Sequence, residues 1–317
     1  MNYRTITKRN TRPLLAPFAI ALLACSACVT SKSTETIVSG TMVRVVSKTT
    51  HGTFATSDGS RDFTAYRPAT FPTKPEERAL VVMLHGCSQS ADDLARSTRM
   101  NTVADSGAFL VLYPEQAVSA DAQQCWRWYL PQQTTRGQGE VAILAGMIDS
   151  VAKSDGIAAK HISIVGMSVG AAMAANLVVA YPERYGALAM YAGAAALSAT
   201  DRETALAVLK SGPANADALG ARAIAAMGAH LKAIPLVLLH GDADTLVSPA
   251  NMRAAAMQFS AINAAAPSGT APVEEHLLPG IGHAWSGGSA ETRSSAPDGP
   301  NATLIIATFL RKVGAIF

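Results

Sequence analysis

Residues 161–172, HISIVGMSVGAA, run apolar to Val165, break at Gly166, and reach Ser168 two residues before a second glycine, Gly170. The apolar run reads as a buried strand, and the Ala-rich stretch that follows, up to Pro182, reads as a helix. A serine at a strand-to-helix junction, flanked by glycines two positions away, is the context of a nucleophile elbow. The sharp turn lifts the hydroxyl clear of the sheet, and the glycines let strand and helix approach closely. The helix N-terminus adds partial positive charge where an oxyanion would form. The alternative is a tight turn with a polar tip, and the rest of the chain has to separate the two.

Working outward, strand-like and helix-like segments alternate to the end of the chain. The strand candidates are MVRVVS (42–47), FTAYRP (63–68), ALVVMLHG (79–86), AFLVLYPE (108–115), HISIVGM (161–167), GALAMYAG (186–193), IPLVLLHG (234–241) and VEEHLLP (273–279). The central ones are unbroken apolar runs, as parallel strands covered on both faces require. Helices are expected over 91–107, 139–156, 170–182 and 249–265. This order predicts an α/β fold with right-handed crossovers and a doubly wound, mostly parallel sheet. The Ala-rich stretch 200–231 is expected to form a small helical cap over the C-terminal edge of the sheet. SGGSAETRSSAPDGP (286–300) reads as a loop.

A serine is a weak nucleophile at neutral pH without a base and an orienting acid. In a doubly wound sheet such groups belong on loops at strand C-termini, in the order serine, acid, histidine. The loop after IPLVLLHG offers DADTLVSP, in which Asp244 lies further from the strand end than Asp242. Asp244 is therefore the expected acid, with Asp242 as a turn cap or the acid in its place. LLPGIGHAW then supplies His283. His85 and His240 each precede a glycine at a strand end and read as loop braces, while His51, His161 and His230 lie in other contexts. The tetrahedral oxyanion needs two N–H donors. Val169, next after the serine, offers one, and Cys87 in HGCSQ offers the other. Trp126, Trp128 and Trp285 are candidate aromatic walls for a substrate, or ordinary core. This chemistry calls for no cofactor. With no paired C-x-x-C motifs and no H-E-x-x-H, no metal site is expected.

The N-terminus has the layout of an export signal over residues 1–24: basic RTITKRNTR, then apolar PLLAPFAIALLA, then CSAC. The apolar run is about a dozen residues, short of the ~20 that span a bilayer. LLAC resembles a bacterial lipoprotein signal, in which Cys25 would carry the lipid and tether the protein to a membrane. The expected location is an outer-membrane or periplasmic lipoprotein, or a secreted protein. Residues 25–40 would be the tether and 41–317 one catalytic domain. Export places Cys87 and Cys125 in an oxidising compartment, where a disulfide between them is expected and two buried thiols are the alternative. The chain carries 26 Lys and Arg against 23 Asp and Glu. All four basic residues before position 25 belong to the signal, so the remainder is nearly neutral and has no basic stripe to suit nucleic acid.

LHGCSQ, YPEQ, CWRWY, RGQGEVAILAGMI, GMSVGAAMA, HGDADTLVSP, GHAWSGG and DGPNAT occur in that order. Together they resemble the catalytic domain of the polyhydroxybutyrate depolymerase family of esterases, over about residues 50–312. The resemblance implies an α/β-hydrolase fold, with Ser168, Asp244 and His283 as nucleophile, acid and base. It also implies Cys87 at the oxyanion position and a Cys87–Cys125 bridge. The implied substrate is a polyester or oligoester of 3-hydroxybutyrate. The chain departs from the family's usual alanine after the serine and from its Gly-Gly pair: here Val169 and Gly170-Ala171 stand instead. The rival expectations are a feruloyl or acetyl xylan esterase and a lipid-anchored binding protein without turnover.

Overall fold

Leu80, Val82 and Leu84 of LVVML (80–84) face one core, while Val81 and Met83 face another. All five side chains are buried. A strand whose two faces are both covered has no polar positions to alternate, which is why the central strands read as continuous apolar runs. The computed structural model describes residues 28–38 and 41–317, with side chains from residue 47 onward. The expected signal at 1–24 and the lipidation site Cys25 lie outside the described residues.

The strands are β1 (Cys28–Val38), β2 (Thr41–Thr56), β3 (Gly59–Arg67), β4 (Leu80–Leu84), β5 (Leu110–Glu115), β6 (Ile162–Met167), β7 (Ala187–Tyr191), β8 (Leu236–Gly241), β9 (Val273–Leu278), β10 (Trp285–Ser286) and β11 (Ser295–Ala296). The helices are α1 (Ala91–Thr98), α2 (Met100–Gly107), α3 (Pro131–Thr134), α4 (Gly139–Asp155), α5 (Val169–Ala180), α6 (Arg202–Ser211), α7 (Ala216–Met227), α8 (Ala250–Ala265) and α9 (Ala302–Lys312). Among these helices none is long and apolar enough to cross a membrane.

The main sheet runs β1-β2-β3-β5-β4-β6-β7-β8-β9. Pairings are antiparallel from β1 as far as β5 and parallel from there to β9. One face carries the core beneath α4, α5, α7 and α8, and the other carries the core beneath α1, α2 and α9. The chain leaves β4 toward β5 and returns to β6 on β4's other side, so strand order reverses at β4. In a doubly wound sheet the crevice beyond such a reversal is where ligands bind. The register brings Leu84 beside Gly166 and Met167 beside Tyr191, so the loops after β4, β6 and β7 open at one level.

Four stretches differ from the expectation. Residues 28–38, expected within a tether, form β1, paired with residues 41–51 of a long β2. Their sequence is rich in Thr, Val and Ile, whose branched Cβ favours strand, but it lacks the apolar alternation that announces one. The helix expected over 91–107 breaks at Arg99, which is left-handed (φ 54°). There the Ser97 and Thr98 carbonyls accept from Ser289 N–H and Thr303 Oγ1, so distant chain takes the bonds that would continue the helix. The 286–300 loop contains β11, which pairs in parallel with β10. The helix α9 adds a segment not expected from the pattern; it is capped by Asn301 and buries Ile306, Phe309 and Leu310.

Candidate active site

Ser168 sits at the elbow between β6 and α5 with φ 57° and ψ −125°, a strained conformation for a residue with a side chain. Its N–H donates to the Tyr191 carbonyl at 2.8 Å, which locks the turn to the next strand. The flanking glycines are required by contact. A Cβ on Gly166 would stand 2.3 Å from the Gly170 carbonyl oxygen, and one on Gly170 would stand 2.2 Å from that of Leu84. Only glycine permits strand β6, helix α5 and strand β4 to meet this closely.

His283 Nε2 lies 2.9 Å from Ser168 Oγ, and its Nδ1 lies 2.6 Å from Asp244 Oδ2. A carboxylate only accepts, so Nδ1 carries the proton and Nε2 is left to take one from the serine hydroxyl. Asp244 Oδ1 accepts from the N–H groups of Leu246 and Val247, both at 2.9 Å. Burial acts to raise the Asp244 pKa, but hydrogen bonds from His240, His283 and the Val247 N–H outweigh it, and the carboxyl is held well below the usual range. Asp242 takes the other role open to it. Its Oδ1 accepts from Gly280 N–H at 2.7 Å and ties the acid loop to the histidine loop.

The loop after β4 abuts the serine, since a Cβ on Gly86 would stand 3.4 Å from that of Ser168. Val169 N–H belongs to the open first turn of α5. Among the described residues, neither this N–H nor that of Cys87 is taken by another backbone group. His85 braces the loop as expected. Its Nε2 accepts from Gln116 N–H at 3.0 Å, so Nδ1 donates to the Gly86 carbonyl at 2.8 Å. Burial pushes this imidazole down to about 4, and it stays neutral. Because C=O and N–H point opposite ways across a trans peptide, holding the Gly86 carbonyl also orients the Cys87 N–H. Cys87 is disulfide-bonded to Cys125, which joins this loop to the Trp126 segment.

A cavity of about 400 Å³ opens beside the elbow, bounded by Cys87, Val169, Trp128, Tyr129, Leu206 and Leu209. Of the expected cap, α6 supplies one wall of this cavity, while α7 packs along α8 instead. Trp126 and Trp128 back the cavity but are 0 % and 2 % exposed, so they form its floor rather than opening into it. Of the two roles open to Trp285, substrate wall or core, the structure gives it the second. It is fully buried on the α1/α9 side, stacked on Tyr191 at 4.8 Å, with its indole N–H donating to Thr303 Oγ1. Pairing of β10 with β11 turns the indole into that core. There it steadies the loop that carries His283. The α6 side chains were not anticipated, because a helix amphipathic against an unknown partner does not disclose which cavity it walls, and Tyr129 lies in a turn with no periodicity to read.

The sheet, its order and the elbow define an α/β-hydrolase. An acetyl xylan esterase from Aspergillus awamori superposes with TM-score 0.59 at 19 % identity, covering 70 % of this chain and 89 % of that one, a likeness of fold. Residues 63–272 match the family described as esterase PHB depolymerase, and the chain belongs to that family. The match includes Ser168 and Asp244 and ends before His283. Poly(3-hydroxyalkanoate) depolymerase C of Paucimonas lemoignei is 28 % identical over 209 residues, 65 % of this chain and 50 % of that protein. Feruloyl esterase B of Neurospora crassa is 32 % identical over 132 residues, 41 % of this chain and 43 % of its own. The chain thus matches about half the length of these relatives or less.

Proposed function

We propose that the protein is an exported serine carboxylesterase whose preferred substrates are short hydroxyalkanoate oligoesters. Ser168 Oγ attacks the ester carbonyl while His283 Nε2 takes its proton. The N–H groups of Cys87 and Val169 bind the oxyanion, and Asp244 holds the imidazole tautomer. His283 then protonates the departing alcohol, leaving the acyl group on Ser168. Water, deprotonated by His283, attacks this acyl-enzyme and releases the acid. The single observation that carries the reading is the continuous hydrogen-bonded line from Ser168 Oγ through His283 to Asp244. Export, with a lipid on Cys25, is supported by the sequence of residues 1–28 alone.

The substrate preference draws on family membership and on the apolar cavity, with β-branched Val169 narrowing the space beside the nucleophile. A feruloyl or acetyl xylan esterase is the second reading, supported by the names of the relative from Neurospora crassa and of the A. awamori structure. The test assays purified enzyme and Ser168→Ala on hydroxybutyrate oligomers, p-nitrophenyl esters of graded length and methyl ferulate. Loss of the nucleophile costs on the order of 10⁶ in turnover, and the expected order of substrates is oligomers and short esters ahead of long ones. A Ser168→Ala protein with a tenth of wild-type activity overturns the nucleophile. Methyl ferulate turned over well above butyrate esters, with oligomers untouched, selects the second reading.

A further inference from the structure

His240, at the C-terminal end of β8, is fully buried, and the mechanism above leaves it without a part. Its Nε2 lies 2.8 Å from the Val247 carbonyl oxygen, which can only accept, so Nε2 carries the ring proton. The same nitrogen lies 3.4 Å from Asp244 Oδ2, the oxygen that also accepts from His283. Asp244 therefore stands between two imidazoles, one on the reacting side and one beneath it. The other nitrogen of His240, Nδ1, is buried and has no hydrogen-bond partner among the described residues. A buried ring nitrogen without a protein partner carries a free-energy penalty that an apolar side chain of similar size would avoid. Packing alone is a poor reason for histidine here.

We infer that His240 is a positioning residue for the catalytic acid: its Nε2–H closes the 240–247 loop on Val247 and fixes the Oδ2 of Asp244 toward His283. The inference rests on the triad reading given above. Its second consequence is electrostatic. The Nε2–H dipole 3.4 Å from Oδ2 stabilises charge on that oxygen, so less is available to the His283 Nδ1–H. Without it, the Asp244–His283 pair holds its proton to higher pH. The other ionisable groups near the pair are already committed. Tyr191, from β7, donates its hydroxyl to the Ala284 carbonyl, and Asp242 accepts from Gly280 N–H. Ser168, from the elbow, bonds to His283 itself.

The experiment measures pH–rate profiles on p-nitrophenyl butyrate for wild type, S168A, H240L, H240Q and H240N. The Gln amide can carry an N–H to the place of Nε2, whereas the Asn amide ends a bond short. A hydrogen bond to a charged group at this site predicts that H240L loses about 10- to 100-fold in kcat. Its KM is expected to stay near wild type, and its acid limb to move to higher pH. H240Q is expected to recover most of the turnover and the position of the limb. A folded H240L with wild-type kcat and an unmoved limb overturns the inference, as does an H240Q no better than H240L. Should H240L fail to fold, H240Q and H240N carry the test, and equal kcat and limb in the two overturn it. An active S168A instead brings down the triad reading, so the two failures are told apart.

Discussion

At the scale of single residues, the site depends on which of two aspartates meets the histidine. Asp244 is bonded to His283 and Asp242 to the Gly280 N–H. Asp244→Asn presents the wrong imidazole tautomer and is expected to lower kcat by about 10⁴. Asp242→Asn keeps an oxygen for Gly280 and is expected to be far milder; steady-state kinetics on one ester compares them directly. His85 gives a second prediction, on stability. Its folded pKa of about 4 lies below the unfolded value near 6.5. Between those values the unfolded chain binds a proton that the folded protein refuses. This stabilisation is complete above about pH 6.5 and is lost as pH falls through about 4, amounting to about 3 kcal/mol at the acid limit. Denaturant unfolding at several pH values should show wild type losing more stability than His85→Gln across that window. Parallel curves would place the imidazole's proton elsewhere.

Among elements, the segment between β5 and α4 matters because it carries Cys125, Trp126 and Trp128 with little regular structure of its own. One of its ties is a buried carboxylate. Glu140, at the start of α4, accepts from the side chains of Arg61, Gln116 and Arg127 and from the Arg127 N–H. A charge as buried as that of Glu140 contributes mainly by leaving no orphan, so losing a buried partner such as Arg61 is what destabilises. The disulfide adds a second tie, closing a loop with a sequence separation of 38. Loop-closure entropy sets its contribution at about 4 kcal/mol as an upper figure, and typical cases give 2–4. Replacing Cys87 and Cys125 by serine together is expected to lower the unfolding midpoint. Because Cys87 lies on the loop proposed to bind the oxyanion, activity should fall at temperatures where the sheet is still folded. Activity that persists until the far-UV signal is lost would separate the bridge from catalysis.

For the whole molecule, charge is nearly balanced, with 26 Lys and Arg against 23 Asp and Glu. Such a surface has little long-range field with which to steer a substrate, and a neutral ester offers no charge to steer. Raising salt from about 20 mM to about 500 mM is expected to change kcat/KM on a neutral ester by less than about twofold. A tenfold fall would mean that a local field, unseen in the net charge, directs binding. Selection then belongs to the cavity, where apolar burial contributes about 25 cal/mol per Å². The two cores on opposite faces of the sheet give the cavity a rigid floor. The wall formed by α6 joins the acid loop where Ser248 N–H donates to the Leu209 carbonyl at 2.8 Å.

The central strands, the glycine-flanked turn at Ser168 and the strand-end loops that carry Asp244 and His283 were legible in the sequence because each has a local cause. Strands buried on both faces must be apolar throughout, and glycine alone fits where Gly166 and Gly170 meet neighbouring backbone. The Cys87–Cys125 bridge was legible once the chain was read as exported, and the structure bonds the two. What tertiary structure alone decided is non-local. Arg99 breaks a helix because residues near 290 and 303 take the carbonyls before it. Trp285 lies two positions from His283 yet faces the opposite core, since strand pairing and not sequence distance sets which way a side chain turns. Residues 28–38 carry strand-favouring β-branched residues without apolar alternation, and it is the pairing with residues 41–51 of β2 that makes them a strand. His240 read as a brace. That it reaches the same carboxylate oxygen as His283 depends on how the loop after β8 folds back on the strand end.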